Sequence, residues 1–142
     1  MEFGLTEPAL MAPKEALMLN SLQLAYIGDT VWELMVRRRL ILEGLGVHTM
    51  HKLASGSVNA GAQARAVSLI ADTLTAEESA LVRRGRNAHS RHPVPRNQSA
   101  ADYAMATGFE ALIGFLYLTG NHERLRFLDK LILKRSGQAQ NG

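Results

Sequence analysis

The chain has 142 residues, 46% of them hydrophobic and 20% charged, with a formal net charge of +3 at pH 7, 12 glycines, 4 prolines and no cysteine. That length suits one domain, which buries about two-thirds of the surface its unfolded chain exposes. The apolar content excludes intrinsic disorder, and the lack of cysteine excludes disulfides, thiolate nucleophiles and cysteine zinc sites, so the core itself must hold the fold.

In chain order, residues 1–18 read as an N-terminal extension; Glu2, Glu7, Pro8, Pro13, Lys14 and Glu15 interrupt any apolar stretch, so no secretory signal is expected and the protein is expected to stay in the cytoplasm. The first strong helix runs from Asn20 or Ser21, good capping residues, to Glu43, with Gly44 and Gly46 stopping it. At 100° per residue, Leu24, Ile27, Val31, Leu34 and Leu42 form its expected core stripe. Asp29 falls nearly opposite, among Leu22, Ala25, Val36 and Leu40. A second helical stretch over residues 49–53 is expected to break at Ser55-Gly56-Ser57, before a third over residues 59–73. Thr75-Ala-Glu-Glu78 is a capping box that starts a helix reaching Arg86. Residues 87–99, with Pro93 and Pro95, form a loop. A helix over residues 100–118 is closed by Gly120, a last one spans residues 122–135, and residues 136–142 are expected to be a disordered polar tail.

No alternating β-branched segment bounded by turn pairs occurs, so the fold class is all-α, with the main domain over residues 19–135. The longest apolar run, residues 104–118, carries Glu110 and falls short of the about 20 residues a membrane helix needs. It reads as a buried helix, and no membrane partner is expected.

Two carboxylates stand out. Tyr103, Thr107, Glu110, Gly114 and Tyr117 share one face of an otherwise apolar helix, so Glu110 should be largely buried, which is costly unless it is paired or binds a metal. Gly28 and Gly114 would let two helix backbones approach closely and bring Asp29 to Glu110. Three readings stay open: a structural ion pair with one of the twelve arginines, a Mg²⁺ or Mn²⁺ site, or a proton-transfer pair. Thr107 could add a hydroxyl contact to such a cation through a water, although a helical threonine ordinarily bonds a backbone carbonyl.

Basic charge gathers over residues 83–101, where Arg83, Arg84, Arg86, Arg91 and Arg96 stand with His89 and His92 and no acid precedes Asp102. Such an edge suits phosphate, though arginines that merely complement a helix dipole would look the same. A smaller cluster, Arg37 to Arg39, lies past Asp29 on the first helix. His48 and His51 lack the acids or cysteines that would complete a zinc site, and no phosphate-binding glycine loop or nucleophile elbow is present. Trp32 and Tyr26 read as core or interface aromatics.

At these residues the sequence resembles the catalytic domain of the ribonuclease III family. Leu24-Ala-Tyr-Ile-Gly-Asp29 is similar to the family's signature helix, and Phe109-Glu-Ala-Leu-Ile-Gly114 to its second acidic motif. Arg84-Gly-Arg-Asn-Ala-His-Ser90 and the stretch from Tyr103 to Glu110 resemble the Mini-ribonuclease III branch, which lacks a separate double-stranded-RNA-binding domain. The signature's two glutamates are replaced by Leu22 and Ala25, and an aspartate of the second motif by Thr107. The Mini branch shares this thinning.

The resemblance implies a homodimeric helical endonuclease that cuts double-stranded RNA and matures large-subunit ribosomal RNA precursor, with a ribosomal protein as a conceivable helper. Asp29 and Glu110 would be the catalytic metal ligands, for Mg²⁺ with Mn²⁺ as substitute. Arg83, Arg84, Arg86, Asn87, Arg91 and Arg96 would hold RNA through phosphate and 2′-hydroxyl groups, since the deep major groove of A-form RNA is closed to side chains. Leu22, Ala25, Trp32 and Val36 are candidates for the dimer contact. The competing class is a catalytically degenerate RNA-binding or assembly module with the same helical dimer fold, and a weaker third is a helical protein-interaction adaptor.

Overall fold

A computed structural model of the protein describes residues 9–88 and 99–141, with side chains as far as residue 137. His89, Arg91, His92, Pro93, Pro95 and Arg96 lie outside the described residues, as do residues 1–8 of the expected N-terminal extension. The described chain is all helical: α1 (Pro13–Leu17), α2 (Ser21–Leu42), α3 (Val47–Val58), α4 (Ala60–Ile70), a 3₁₀ turn (Ala71–Thr73), α5 (Ala76–Ala88), α6 (Ala100–Leu118) and α7 (His122–Asn141).

Local chemistry accounts for most of the ends. Asn20 caps α2 by accepting from the Leu22 amide at 2.7 Å, while Gln23 reaches back to the Asn20 amide at 3.0 Å. Gly44 and Gly120 take φ of 72° and 75°, the left-handed conformation in which glycine ends a helix without strain. Thr75 and Glu78 form the reciprocal box, at 2.9 and 3.1 Å. Glu78 then takes a bidentate pair from Arg124 of α7, whose Nη2 also donates to the Thr73 carbonyl at 2.7 Å. One carboxylate thus starts α5 and fastens it to α7.

Two boundaries differ from the sequence expectation. α3 passes through Ser55-Gly56-Ser57, where Ser57 returns its hydroxyl to the Leu53 carbonyl, and the break comes at Asn59, which is extended and caps α4 through the Ala62 amide. One glycine costs a helix only about 1 kcal/mol, less than a neighbouring cap and its packing return. α7 continues to Asn141, past the end expected near Arg135 and into the stretch read as a tail; Arg135 ties it to Asp72 and the Leu69 carbonyl, each at 2.6 Å.

The centre of the molecule is α6, packed by α2, α4 and α5. From Ala106 to Leu116 every residue but Glu110 is buried, as expected of a helix apolar almost all round. Two glycine crossings let its neighbours close on it. A Cβ on Gly114 would stand 2.0 Å from the Leu24 carbonyl oxygen of α2, and one on Gly108 would stand 2.4 Å from the Val82 carbonyl oxygen of α5. The chain ahead of α2 is strapped to the same helix, because the Leu10 and Met11 amides both donate to the Leu118 carbonyl at 3.0 Å.

α2 turns a different face inward from the expected stripe. Leu24 and Val31 are buried, but Leu34 and Leu42 are 42% and 83% exposed. Ala25, Trp32, Val36 and Leu40 are buried in their place. The dimer-contact expectation for Ala25, Trp32 and Val36 is therefore corrected: these side chains fill the protomer's own core. Trp32 stands edge-on to Phe109 of α6 with centroids 4.9 Å apart, and its indole N–H faces the Ser57 carbonyl at 3.5 Å. Leu22 is half-buried. An apolar residue outside the assumed stripe can still be core when neighbours cover the helix on two sides, as α3 and α6 do here.

Candidate active site

Asp29 comes from the middle of α2 and Glu110 from the middle of α6, each beside a glycine crossing point. A Cβ on Gly28 would lie 1.7 Å from the Glu110 carbonyl oxygen and 2.8 Å from the Gly114 amide nitrogen, so any side chain there would hold the helices apart. With both glycines in place, the Asp29 carboxylate comes within hydrogen-bonding reach of Glu110. The juxtaposition expected from Gly28 and Gly114 is what the packing produces.

The electrostatics follow from that geometry. Burial pushes the Glu110 carboxyl up to about 8, and the neighbouring Asp29 charge and hydrogen bond push the same way. None of the four ion pairs among the described residues engages either acid: Glu33 takes Arg37, Asp129 takes Arg39, Glu78 takes Arg124 and Asp72 takes Arg135. Among the described residues, the arginine pairing left open by the sequence is not adopted. Two carboxylates facing each other across a helix crossing form a hard oxygen donor set with unbalanced negative charge, which fits a divalent cation such as Mg²⁺ or Mn²⁺. Among the described residues no group of three or more His, Cys, Asp or Glu side chains converges, so the cation's remaining ligands would be water or substrate oxygen.

Thr107 is 7% exposed and donates its hydroxyl to the Tyr103 carbonyl at 3.2 Å, the ordinary alternative named above. His48 and His51 are exposed on α3. Tyr26, one turn before Asp29 on α2, is 84% exposed.

The basic residues divide. Arg83, Arg86 and Asn87 are exposed near the end of α5, and Arg83 and Arg86 line a shallow cleft with Val67, Leu74, Val82 and Met105. Arg84 is also on the surface, yet its guanidinium is bonded to the carbonyls of Leu17 and Leu19 at 3.4 and 3.1 Å. Arg91 and Arg96 lie outside the described residues. In the second cluster, Arg37 and Arg39 are held by acids, and Arg38 is exposed. The role of Gly85 escaped the sequence reading; a Cβ there would lie 2.7 Å from the Gly108 Cα. The signal was the pair of glycines, one in the basic motif and one two residues before Glu110.

An all-helical domain in which a glycine crossing brings two carboxylates together, with exposed arginines near the end of α5, carries residue types that a metal-dependent nuclease would use. The Ribonuclease III domain family matches residues 22–121. Mini-ribonuclease 3 of Symbiobacterium thermophilum is 46% identical over 110 residues, covering 77% of this chain and 84% of the relative. Mini-ribonuclease 3 of Enterococcus faecalis is 40% identical over 123 residues, covering 84% and 92%. A crystal structure of a Fusobacterium nucleatum protein superposes with a TM-score of 0.76 at 28% identity, covering 84% of this chain and 95% of that one. The chain belongs to the ribonuclease III family, in its Mini-ribonuclease 3 branch.

Proposed function

We propose that this protein is a divalent-metal-dependent endoribonuclease that cleaves double-stranded RNA, with large-subunit ribosomal RNA precursor as its natural substrate and the cytoplasm as its place of action. The observation that carries the reading is the Asp29–Glu110 pair at the Gly28–Gly114 crossing, in a chain of the ribonuclease III family. Asp29 and Glu110 are the residues that hold Mg²⁺, or Mn²⁺ in its place. When bound, the cation lowers the pKa of a water and stabilises charge on the phosphate under attack.

The chain's own residues set the conditions for that chemistry. Gly28 and Gly114 bring the carboxylates together, and burial within the helix pair raises the pKa of Glu110, so a bound cation would compete with its proton. Arg83, Arg86 and Asn87, continued by Arg91 and Arg96, grip the RNA backbone. Cutting both strands requires two such sites, hence a homodimer. We assign its contact to the outward face of α2, where Tyr26, Leu34 and Ile41 are 84%, 42% and 64% exposed. Among the described residues no helix is long and apolar enough to cross a membrane. A ribosomal protein bound to the precursor is a natural helper for such an enzyme.

The test is cleavage of a perfect RNA duplex and of a ribosomal precursor fragment by wild type, Asp29→Asn and Glu110→Gln, with and without Mg²⁺. Each variant's folding and oligomeric state is checked alongside. The reading requires that only the wild type cuts, and only with metal. A folded wild type that binds duplex RNA in a salt-dependent way but cuts neither substrate would establish the degenerate binding module instead.

A further inference from the structure

The basic motif that opens with Arg84-Gly85-Arg86 points in two directions. Arg83 and Arg86, three residues apart, turn to one side of α5, where both line a cleft with Val67 of α4 and Met105 of α6. Arg84 turns the other way. Its Nη2 donates to the Leu19 carbonyl at 3.1 Å and its Nη1 to the Leu17 carbonyl at 3.4 Å. Leu17 is the last residue of α1, Leu19 lies in the link to α2, and the next residue, Asn20, is the cap that starts α2. The two carbonyls thus belong to a strap whose far end is already bound to α6 through Leu10, Met11 and the Leu118 carbonyl.

The base of Arg84 is equally well anchored. Gly85 brings α5 against Gly108 so closely that a side chain on either would collide with backbone. The guanidinium therefore reaches from a fixed point on α5 to the start of α2. Along α2, Leu24 packed on Gly114 and Gly28 packed on Glu110 are fixed points, both against α6. Arg84 adds a tie from α5 to the link that enters α2, so the start of the helix is held to α5 as well as to α6.

We propose that Arg84 is a positioning residue that sets the start of the Asp29 helix against α5 and α6, and is not a phosphate contact. This rests on the reading of function above. The planar fork explains the residue type, since a guanidinium can serve two successive carbonyls at once and an ammonium on a flexible stem holds them less well. A displacement of about 1 Å at reacting groups costs on the order of a hundredfold in rate, so a modest tilt of α2 is enough to be seen in kcat.

The experiment uses the full chain with Arg84→Lys, which keeps the charge and loses the fork, and Arg84→Gln, which loses the charge; folding is checked by circular dichroism. Duplex-RNA affinity is measured in metal-free buffer over a range of salt, and kcat and KM with Mg²⁺ on the same duplex. A positioning role predicts that both variants lose about tenfold or more in kcat, with KM and the salt slope of binding unchanged. A phosphate contact predicts that Arg84→Gln lowers the salt slope by about one while Arg84→Lys keeps wild-type kcat, and that result overturns the proposal. Wild-type kcat in both variants overturns it too. An inactive wild type fails differently, since it removes the reading of function on which this inference rests and the inference with it.

Discussion

The backbone of Gly28 is in direct contact with the carbonyl of Glu110, so the residue before one acid touches the residue that carries the other. The active-site geometry is thereby tied to a crossing where two helix backbones touch. Gly28→Ala or Gly114→Ala must push α2 and α6 apart, because the added carbon meets backbone and not a movable side chain. Each is expected to destabilise the protein by about 1–3 kcal/mol or more and to abolish Mg²⁺-dependent cleavage. Urea melts and duplex cleavage check this; a Gly28→Ala protein of wild-type stability would show the crossing to be looser.

A second expectation concerns pH. The Glu110 carboxyl, raised from 4.5 to about 8, binds its proton more tightly folded than unfolded, so its contribution to stability is complete below about pH 4.5 and is lost as pH rises through 8. Glu110→Gln is neutral throughout and escapes that loss. In metal-free buffer the variant and the wild type should melt alike near pH 4.5. At pH 8.5 the variant should melt higher, by roughly 3–4 °C for each kcal/mol in a domain of this size. Equal melting at both pH values would show that Glu110 is not held protonated.

Divalent cation should reverse that order. Mg²⁺ bound by the folded protein alone raises the melting temperature in proportion to the logarithm of its concentration and releases a proton near neutral pH. Wild type should show both effects in thermal melts and in titrations run in buffers of different ionisation enthalpy. Asp29→Asn and Glu110→Gln should show neither.

Trp32 and Tyr26 lie on the same helix and should fail in different ways. Trp32 is 3% exposed against Phe109, so Trp32→Ala should cost the protomer about 3–5 kcal/mol. Tyr26 is 84% exposed, so Tyr26→Ala should leave the protomer's fold intact and weaken self-association. Denaturant melts and sedimentation at several concentrations separate the two.

Arg124 should matter to stability far from the chemistry. Its bonds to Glu78 and the capping bonds of Thr75 outweigh the burial of Glu78 and hold that carboxyl below its usual range. Arg124→Ala would leave a buried carboxylate unpaired, at a cost of about 3–5 kcal/mol, with the Asp29–Glu110 pair undisturbed. The check is a denaturant melt at neutral pH beside a Mg²⁺ titration.

What the sequence by itself determined is what short-range physics controls. The caps at Asn20 and Thr75, and the helix ends at Gly44 and Gly120, depend on a few consecutive residues, and each lies where local bonding places it. Glycines beside both acids already implied that Asp29 and Glu110 meet. Tertiary structure decided the rest. Which flank of α2 faces inward depends on α3 and α6 covering it together, which buried Trp32 and Val36 and left Leu34 and Leu42 outside. Whether Gly56 stops a helix depends on the cap and packing that follow it. Arg84 looks like Arg86 in sequence, but the strap across α5 gives one a pair of carbonyls and leaves the other at the surface, because a side chain's partner is set by what folds against it.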